Sequence, residues 1–100
     1  MEVKIASVSA LAPGEMMGID KQGKSILLVN LNGTFYAIGN ICMHQGCSLD
    51  GGTLTGEKIE CPCHGSTYDV RSGKVLQGPA EKPEPSYSVR VQGDAVLATL

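Results

Sequence analysis

The chain has 100 residues, 42% of them hydrophobic but only 4% aromatic, with thirteen glycines, five prolines and a formal charge of -2. That length supports a single domain with a modest, mostly aliphatic core, and the many turn-forming residues favour a compact all-β protein over a helical bundle. A near-neutral charge without runs of like sign argues against nucleic acid or an anionic membrane as a partner, and no apolar stretch approaches the ~20 residues needed to cross a bilayer.

Met1-Glu2-Val3-Lys4 opens without an apolar leader, so a soluble, cytoplasmic protein is expected, and a monomer is the expected state. Val3 to Val8 reads as an opening strand, Ala12-Pro13-Gly14 as a loop and Met16 to Ile19 as a second short strand. Ser25 to Leu31 and Thr34 to Gly39 are apolar runs of strand length, and Asn32-Gly33 between them is a strong hairpin signal. Beyond Gly39 the pattern dissolves into Gly, Pro, Cys and polar residues, leaving short strands over Lys58 to Cys61, Thr67 to Val70 and Lys74 to Leu76. Ser86 to Val91 and Ala95 to Leu100, joined by Gln92-Gly93-Asp94, form a closing hairpin. No segment carries a sustained helical period. The expected organisation is one domain over 1–100, with hairpins flanking a loop-rich region over about 40–85.

Gly18 to Ser25 fits the phosphate-loop pattern G-x-x-x-x-G-K-[ST] letter by letter. That motif needs a helix after the loop, so that backbone N–H groups cradle phosphates, and here Ile26-Leu27-Leu28-Val29 runs straight into a hairpin turn. A polar turn between antiparallel strands explains the residues better. Asn32-Gly33-Thr34 matches a glycosylation acceptor, but the turn already accounts for it. A Cys/His nucleophilic pair would leave most of the cysteine and histidine cluster unexplained.

Every cysteine and histidine lies between Ile41 and Tyr68: Cys42, His44 and Cys47, then Cys61, Cys63 and His64. Thiol and imidazole together suit zinc, copper or iron–sulfur chemistry rather than calcium or magnesium. A structural zinc module is one reading, but zinc sites usually present Cys-x(2 to 4)-Cys or His-x(3 to 5)-His pairs. Here the order is Cys42-x-His44 and, after sixteen intervening residues, Cys61-x-x-His64, with Cys47 and Cys63 left over. A Rieske [2Fe–2S] centre uses two cysteines and two histidines, the histidines replacing cysteines on one of its irons.

Cys42-x-His44-x-Gly46-Cys47 and Cys61-Pro62-Cys63-His64-Gly65-Ser66-x-Tyr68-Asp69 resemble the two cluster-binding loops of the Rieske iron–sulfur family. The resemblance implies an antiparallel Rieske-type β-sandwich with a small loop-rich cluster-binding subdomain. It also implies one [2Fe–2S] cluster on Cys42, His44, Cys61 and His64. Cys47 and Cys63 match the disulfide pair of the family's high-potential branch, and Gly78-Pro79 its cluster-covering loop. Ser66 and Tyr68, two and four residues after His64, resemble hydroxyl donors to the sulfurs, which raise the potential by favouring the reduced cluster.

With two ferric irons, two sulfides and two thiolates the oxidised cluster is neutral, and the class spans roughly −150 to +300 mV against about −400 mV for plant-type ferredoxins. Histidine ligands exposed to solvent imply a potential that falls at alkaline pH, and a flat profile there would count against them. Both histidines being spent on the cluster, a mononuclear oxygenase iron has no ligands left. No catalytic residue is expected: the chain reads as a one-electron carrier between a reductase and a terminal acceptor, with the ferredoxin of an aromatic-ring dioxygenase as the alternative within that class. The cluster-free, Rieske-like small subunit of assimilatory nitrite reductases is a further alternative that four intact ligands disfavour.

Overall fold

The computed structural model describes residues 2–42, 46–63, 65–78 and 82–100. The strands are β1 (Glu2–Ser7), β2 (Met16–Lys21), β3 (Lys24–Leu31), β4 (Thr34–Gly39), β5 (Thr53–Thr55), β6 (Lys58–Glu60), β7 (Thr67–Asp69), β8 (Val75–Gln77), β9 (Ser86–Tyr87), β10 (Val89–Gln92) and β11 (Ala95–Thr99). Two 3-10 turns, Val8–Ala10 and Leu49–Gly51, are the only helical elements among the described residues. The strands form three sheets, β1-β11-β10, β2-β3-β4-β9 and β5-β6-β7-β8, and every strand pairing in them is antiparallel.

The second sheet is the middle layer, because β3 is buried on both faces. Ile26 and Leu28 pack outward with Ile5, Leu11, Phe35, Ala37, Val96 and Ala98. Leu27 and Val29 point the other way, onto Ile38, Leu49, Ile59, Tyr68, Val70 and the two cysteines Cys42 and Cys61. A strand with apolar residues at consecutive positions is what such a middle layer demands.

Both turns of the β2-β3-β4 meander take left-handed conformations at two successive residues, Gln22 with Gly23 and Asn32 with Gly33. That is the geometry whose twist suits a two-residue hairpin. The Asn30 side chain reinforces the second, its Oδ1 accepting from Gly33 N–H at 2.8 Å. Gly18 to Ser25 is therefore strand, turn and strand, as the hairpin reading of the phosphate-loop match requires.

Two departures from the expected strands matter for the site. The single strand expected over Ser86 to Val91 breaks at Ser88: Ser86 and Tyr87 pair with β4, and Val89 onward pairs with β11. The chain turns a corner of the sandwich there. Tyr87 and Val89 both face the outer core, so their alternation runs through the corner unaltered and hides it. The other departure is β5, an unexpected three-residue strand with one apolar residue, Leu54, which pairs along β6 from Thr53↔Glu60 to Thr55↔Lys58. The remaining differences are shifts of a residue or two at strand ends, as in Met16–Lys21 for Met16 to Ile19 and Val75–Gln77 for Lys74 to Leu76.

Candidate metal centre

Two loops project from the third sheet and the end of β4, and their described residues share one pattern of closing hydrogen bonds. In the first, Cys42 N–H donates to the Cys47 carbonyl at 2.7 Å, and Gly46 N–H returns to the Cys42 carbonyl at 2.9 Å. In the second, Cys61 N–H donates to the Ser66 carbonyl at 2.7 Å and Gly65 N–H returns to the Cys61 carbonyl at 3.2 Å. Gly46 and Gly65 hold φ of 75° and 78°, a left-handed conformation that an L side chain strains, so glycine is needed at the same place in each loop. Both loops thus begin with a cysteine whose backbone is fixed by its own loop.

Those cysteines, Cys42 and Cys61, are each only 2% exposed and form part of the core with Tyr68 and Ile59. The remaining pair forms a disulfide, Cys47 to Cys63, with Cα atoms 6.5 Å apart and a sequence separation of 16, so the two loops are covalently tied. For a loop of that length the chain-entropy estimate is ~3 kcal/mol. Tyr68, fully buried on β7, reaches the first loop: its Oη lies 3.5 Å from Cys42 Sγ. Ser66 is buried at the end of the second loop.

His44 and His64, the other two ligands expected from the sequence, lie outside the described residues, as does Pro79. Gly78 follows β8 and is exposed. The donor set can therefore be tested through its cysteines. A binuclear iron–sulfur cluster needs thiolates from chain segments held in a fixed relation. Two buried thiols on loops closed by the same pair of hydrogen bonds, tied by a disulfide, with a hydroxyl beside one sulfur, meet that need.

The residues around the loops include several that motif spacing does not reveal. Asn40, 4% exposed, sits two positions before Cys42. Its N–H donates to the Ser25 carbonyl at 3.0 Å and its carbonyl accepts from Leu49 N–H at 2.6 Å. Its side-chain oxygen accepts from Asp50 N–H at 2.9 Å, while Nδ2 donates to Ser25 Oγ and Asp50 Oδ1, both at 3.4 Å. The turn after Tyr68 is held by Arg71, whose Nε and Nη2 donate to the Asp69 carboxylate at 3.0 and 2.9 Å. This guanidinium keeps the Asp69 carboxyl below its ordinary pKa. Glu84, 3% exposed, ties the following segment back: its N–H donates to the Gly73 carbonyl at 2.8 Å. Ser25 and Gly73 are far from the cysteines in sequence, so only the fold brings these anchors to the loops.

The family model of the Rieske [2Fe-2S] domain matches residues 1–91, and the chain belongs to that family. It is a one-electron carrier that holds a Rieske-type [2Fe–2S] cluster and exchanges electrons with protein partners. Among its relatives is the ferredoxin component of biphenyl 2,3-dioxygenase from Rhodococcus jostii (strain RHA1), 37% identical over 97% of this chain and 91% of the relative. The ferredoxin of carbazole 1,9a-dioxygenase from Nocardioides aromaticivorans IC177 superposes with a TM-score of 0.93 at 34% identity, covering 98% of this chain and 96% of that one. A ferredoxin chain in the complex of reduced oxygenase and oxidized ferredoxin of carbazole 1,9a-dioxygenase gives a TM-score of 0.91 at 30% identity, covering 97% and 91%. The structural zinc module is left without support, since these relatives are iron–sulfur proteins. Among the described residues no helix is long and apolar enough to cross a membrane.

Proposed function

We propose that this chain is the ferredoxin component of an aromatic-ring dioxygenase system, a cytoplasmic monomer carrying single electrons from a reductase to a terminal oxygenase. The observation that carries the reading is likeness along nearly the whole length to ferredoxins of such systems, 97% of this chain against 91% of the biphenyl dioxygenase component. A terminal oxygenase as acceptor is supported by the complex in which a similar ferredoxin chain is bound to one.

In this reading Cys42 and His44 of the first loop and Cys61 and His64 of the second hold the cluster, within a subdomain over about 40–85 of a single domain, 1–100. When bound, the cluster takes up and releases one electron. The chain's own residues decide how readily. Tyr68 holds its hydroxyl beside Cys42 Sγ, where a donated proton offsets negative charge gathering on the sulfur. Ser66 is the second such hydroxyl, and Gly78-Pro79 the cover over the loops. The aliphatic wall of Leu27, Val29, Ile38, Leu49 and Ile59 keeps water from the buried side of both cysteines.

One feature favours a second reading, a carrier of the higher-potential, respiratory type: the Cys47–Cys63 disulfide together with the Tyr68 contact. Redox titration of the purified protein, followed by electron paramagnetic resonance of the reduced state, separates the two. A potential well below zero with a Rieske signal, and oxidation by a purified terminal dioxygenase, is the expected result. A potential well above zero sinks the dioxygenase role and favours the second reading.

A further inference from the structure

The two cysteine loops close with the same pair of hydrogen bonds but stand on different footings. The second grows from the β6–β7 ladder, whose last pair, Glu60↔Thr67, flanks it directly. The first has no ladder beneath it: outside Cys42 and Cys47 its flanks meet at one isolated bridge, Ile41↔Ser48. Beside the Cys47–Cys63 disulfide and the buried Leu49, the polar ties of that stem to the central sheet run through Asn40.

We propose that Asn40 is a positioning residue for the electron-transfer centre, clamping both flanks of the first loop to the central sheet and so setting where Cys42 presents its sulfur. The inference rests on the cluster reading above. Every polar group of Asn40 is engaged, and its partners divide between the two things to be joined. Ser25, at the start of β3, receives its N–H and lies within reach of its Nδ2. Leu49 and Asp50, on the turn that follows the loop, donate to its backbone and side-chain oxygens. Cys42 spends its own N–H and carbonyl on Cys47 and Gly46, so its position follows that of the Asn40 flank two residues earlier.

Gly18, the first residue of the rejected phosphate-loop pattern, acquires a purpose here. A β-carbon at that position on β2 would stand 2.5 Å from Asp50 Oδ2 and 3.0 Å from Asn40 Nδ2, so the bare glycine leaves room for the clamp. The strand edge and the loop are thereby coupled through two side chains.

The test compares Asn40→Ala with Asn30→Ala in the cluster-loaded protein. Asn30 is also buried, 3% exposed, and donates from Nδ2 to the Leu11 carbonyl at 2.9 Å, but it sits by the hairpin turn at the far end of β3. Both substitutions lower Tm. Only Asn40→Ala is expected to shift the midpoint potential and the reduced-state resonance line, and to speed bleaching of the visible spectrum by a chelator several-fold. Asn40→Asp places a second carboxylate against Asp50 and should shift the potential too, and adding Asp50→Asn, which exchanges the two groups, should return it towards the starting value. Should Asn40→Ala not fold, Gly18→Ala carries the test, because its new methyl displaces Asp50 from an exposed strand position and leaves the loop sequence intact. Potential and line shape unchanged in Asn40→Ala, or in Gly18→Ala where that variant stands in, would reduce Asn40 to a stability residue. A parent protein without a Rieske signal overturns the cluster reading itself, a failure that no variant is needed to see.

Discussion

The two faces of β3 build two cores of different character. Towards the outer sheet, Ile5, Leu11, Ile26, Leu28, Phe35, Ala37, Val96 and Ala98 make an apolar layer. Towards the loops, Leu27, Val29, Ile38, Leu49, Ile59 and Val70 surround two thiols and a phenol. Dispersion and water exclusion carry the first, where the buried Asn30 on the same face of β3 is satisfied locally by the Leu11 carbonyl and Gly33 N–H. The second must also keep sulfur and oxygen atoms in a set relation, and its packing is therefore part of the redox chemistry. One strand thus separates a region that supplies stability from one that spends it on positioning.

The largest expected effect tests the apolar side. Leu28→Ala, at a fully buried position, should cost about 2–5 kcal/mol in denaturant unfolding. The folded protein should keep its resonance line and potential; a shift would show that the two cores are not separable. Next comes the tie between the loops. Replacing Cys47 and Cys63 together by Ala should cost about 3 kcal/mol and accelerate cluster loss, seen as bleaching of the visible spectrum. An unchanged bleaching rate would confine the disulfide to fold stability.

Smaller in energy but sharper in meaning is Tyr68→Phe, which keeps the ring in its buried site and removes the hydroxyl beside Cys42 Sγ. Stability should fall by about 0.5–1.5 kcal/mol, and the potential should drop because the reduced state loses a donor. A potential that stays put would assign the tyrosine to packing alone.

The smallest effect concerns acid. Each side carries an arginine–carboxylate pair, Arg71 with Asp69 near the loops and Arg90 with Glu2 on the outer sheet, and in both the guanidinium holds the carboxyl below its ordinary pKa. A carboxyl lowered by folding contributes stability above its unfolded pKa, about 3.9 for Asp and 4.3 for Glu, and loses it as pH falls through the folded value. Asp69→Asn should flatten the acid limb of Tm against pH more than Glu2→Gln, because the Asp69 side chain is 15% exposed and that of Glu2 40%. Equal flattening would mean that burial does not distinguish the pairs.

Much of the fold and of the site is legible in the residues alone. Ile26-Leu27-Leu28-Val29 lacks alternation, and Asn32-Gly33 marks the turn, so the central hairpin stood out. The cysteine loops stood out because short spacings repeat around chemistry-bearing side chains. What did not stand out depends on distant partners or on continuity of pattern. Asn40 before a loop reads as an ordinary turn residue until Ser25 and Asp50, fifteen and ten positions away, are brought against it. Thr53–Thr55 offers only Leu54 as an apolar signal between glycines, and the corner at Ser88 leaves the alternation of Tyr87 and Val89 undisturbed.

The pairing of β1 with β11 sets Glu2 opposite Thr99 in the outer sheet, across the central layer from both cysteine loops. Either end of the described chain therefore offers an attachment point remote from the redox centre. A protein anchored to an electrode through residues beside Glu2 or Thr99 would present its loops to solution, so that a soluble acceptor and the electrode compete for the same electron over different distances. Such a film would turn the layered order of the sheets into a measurable direction of current.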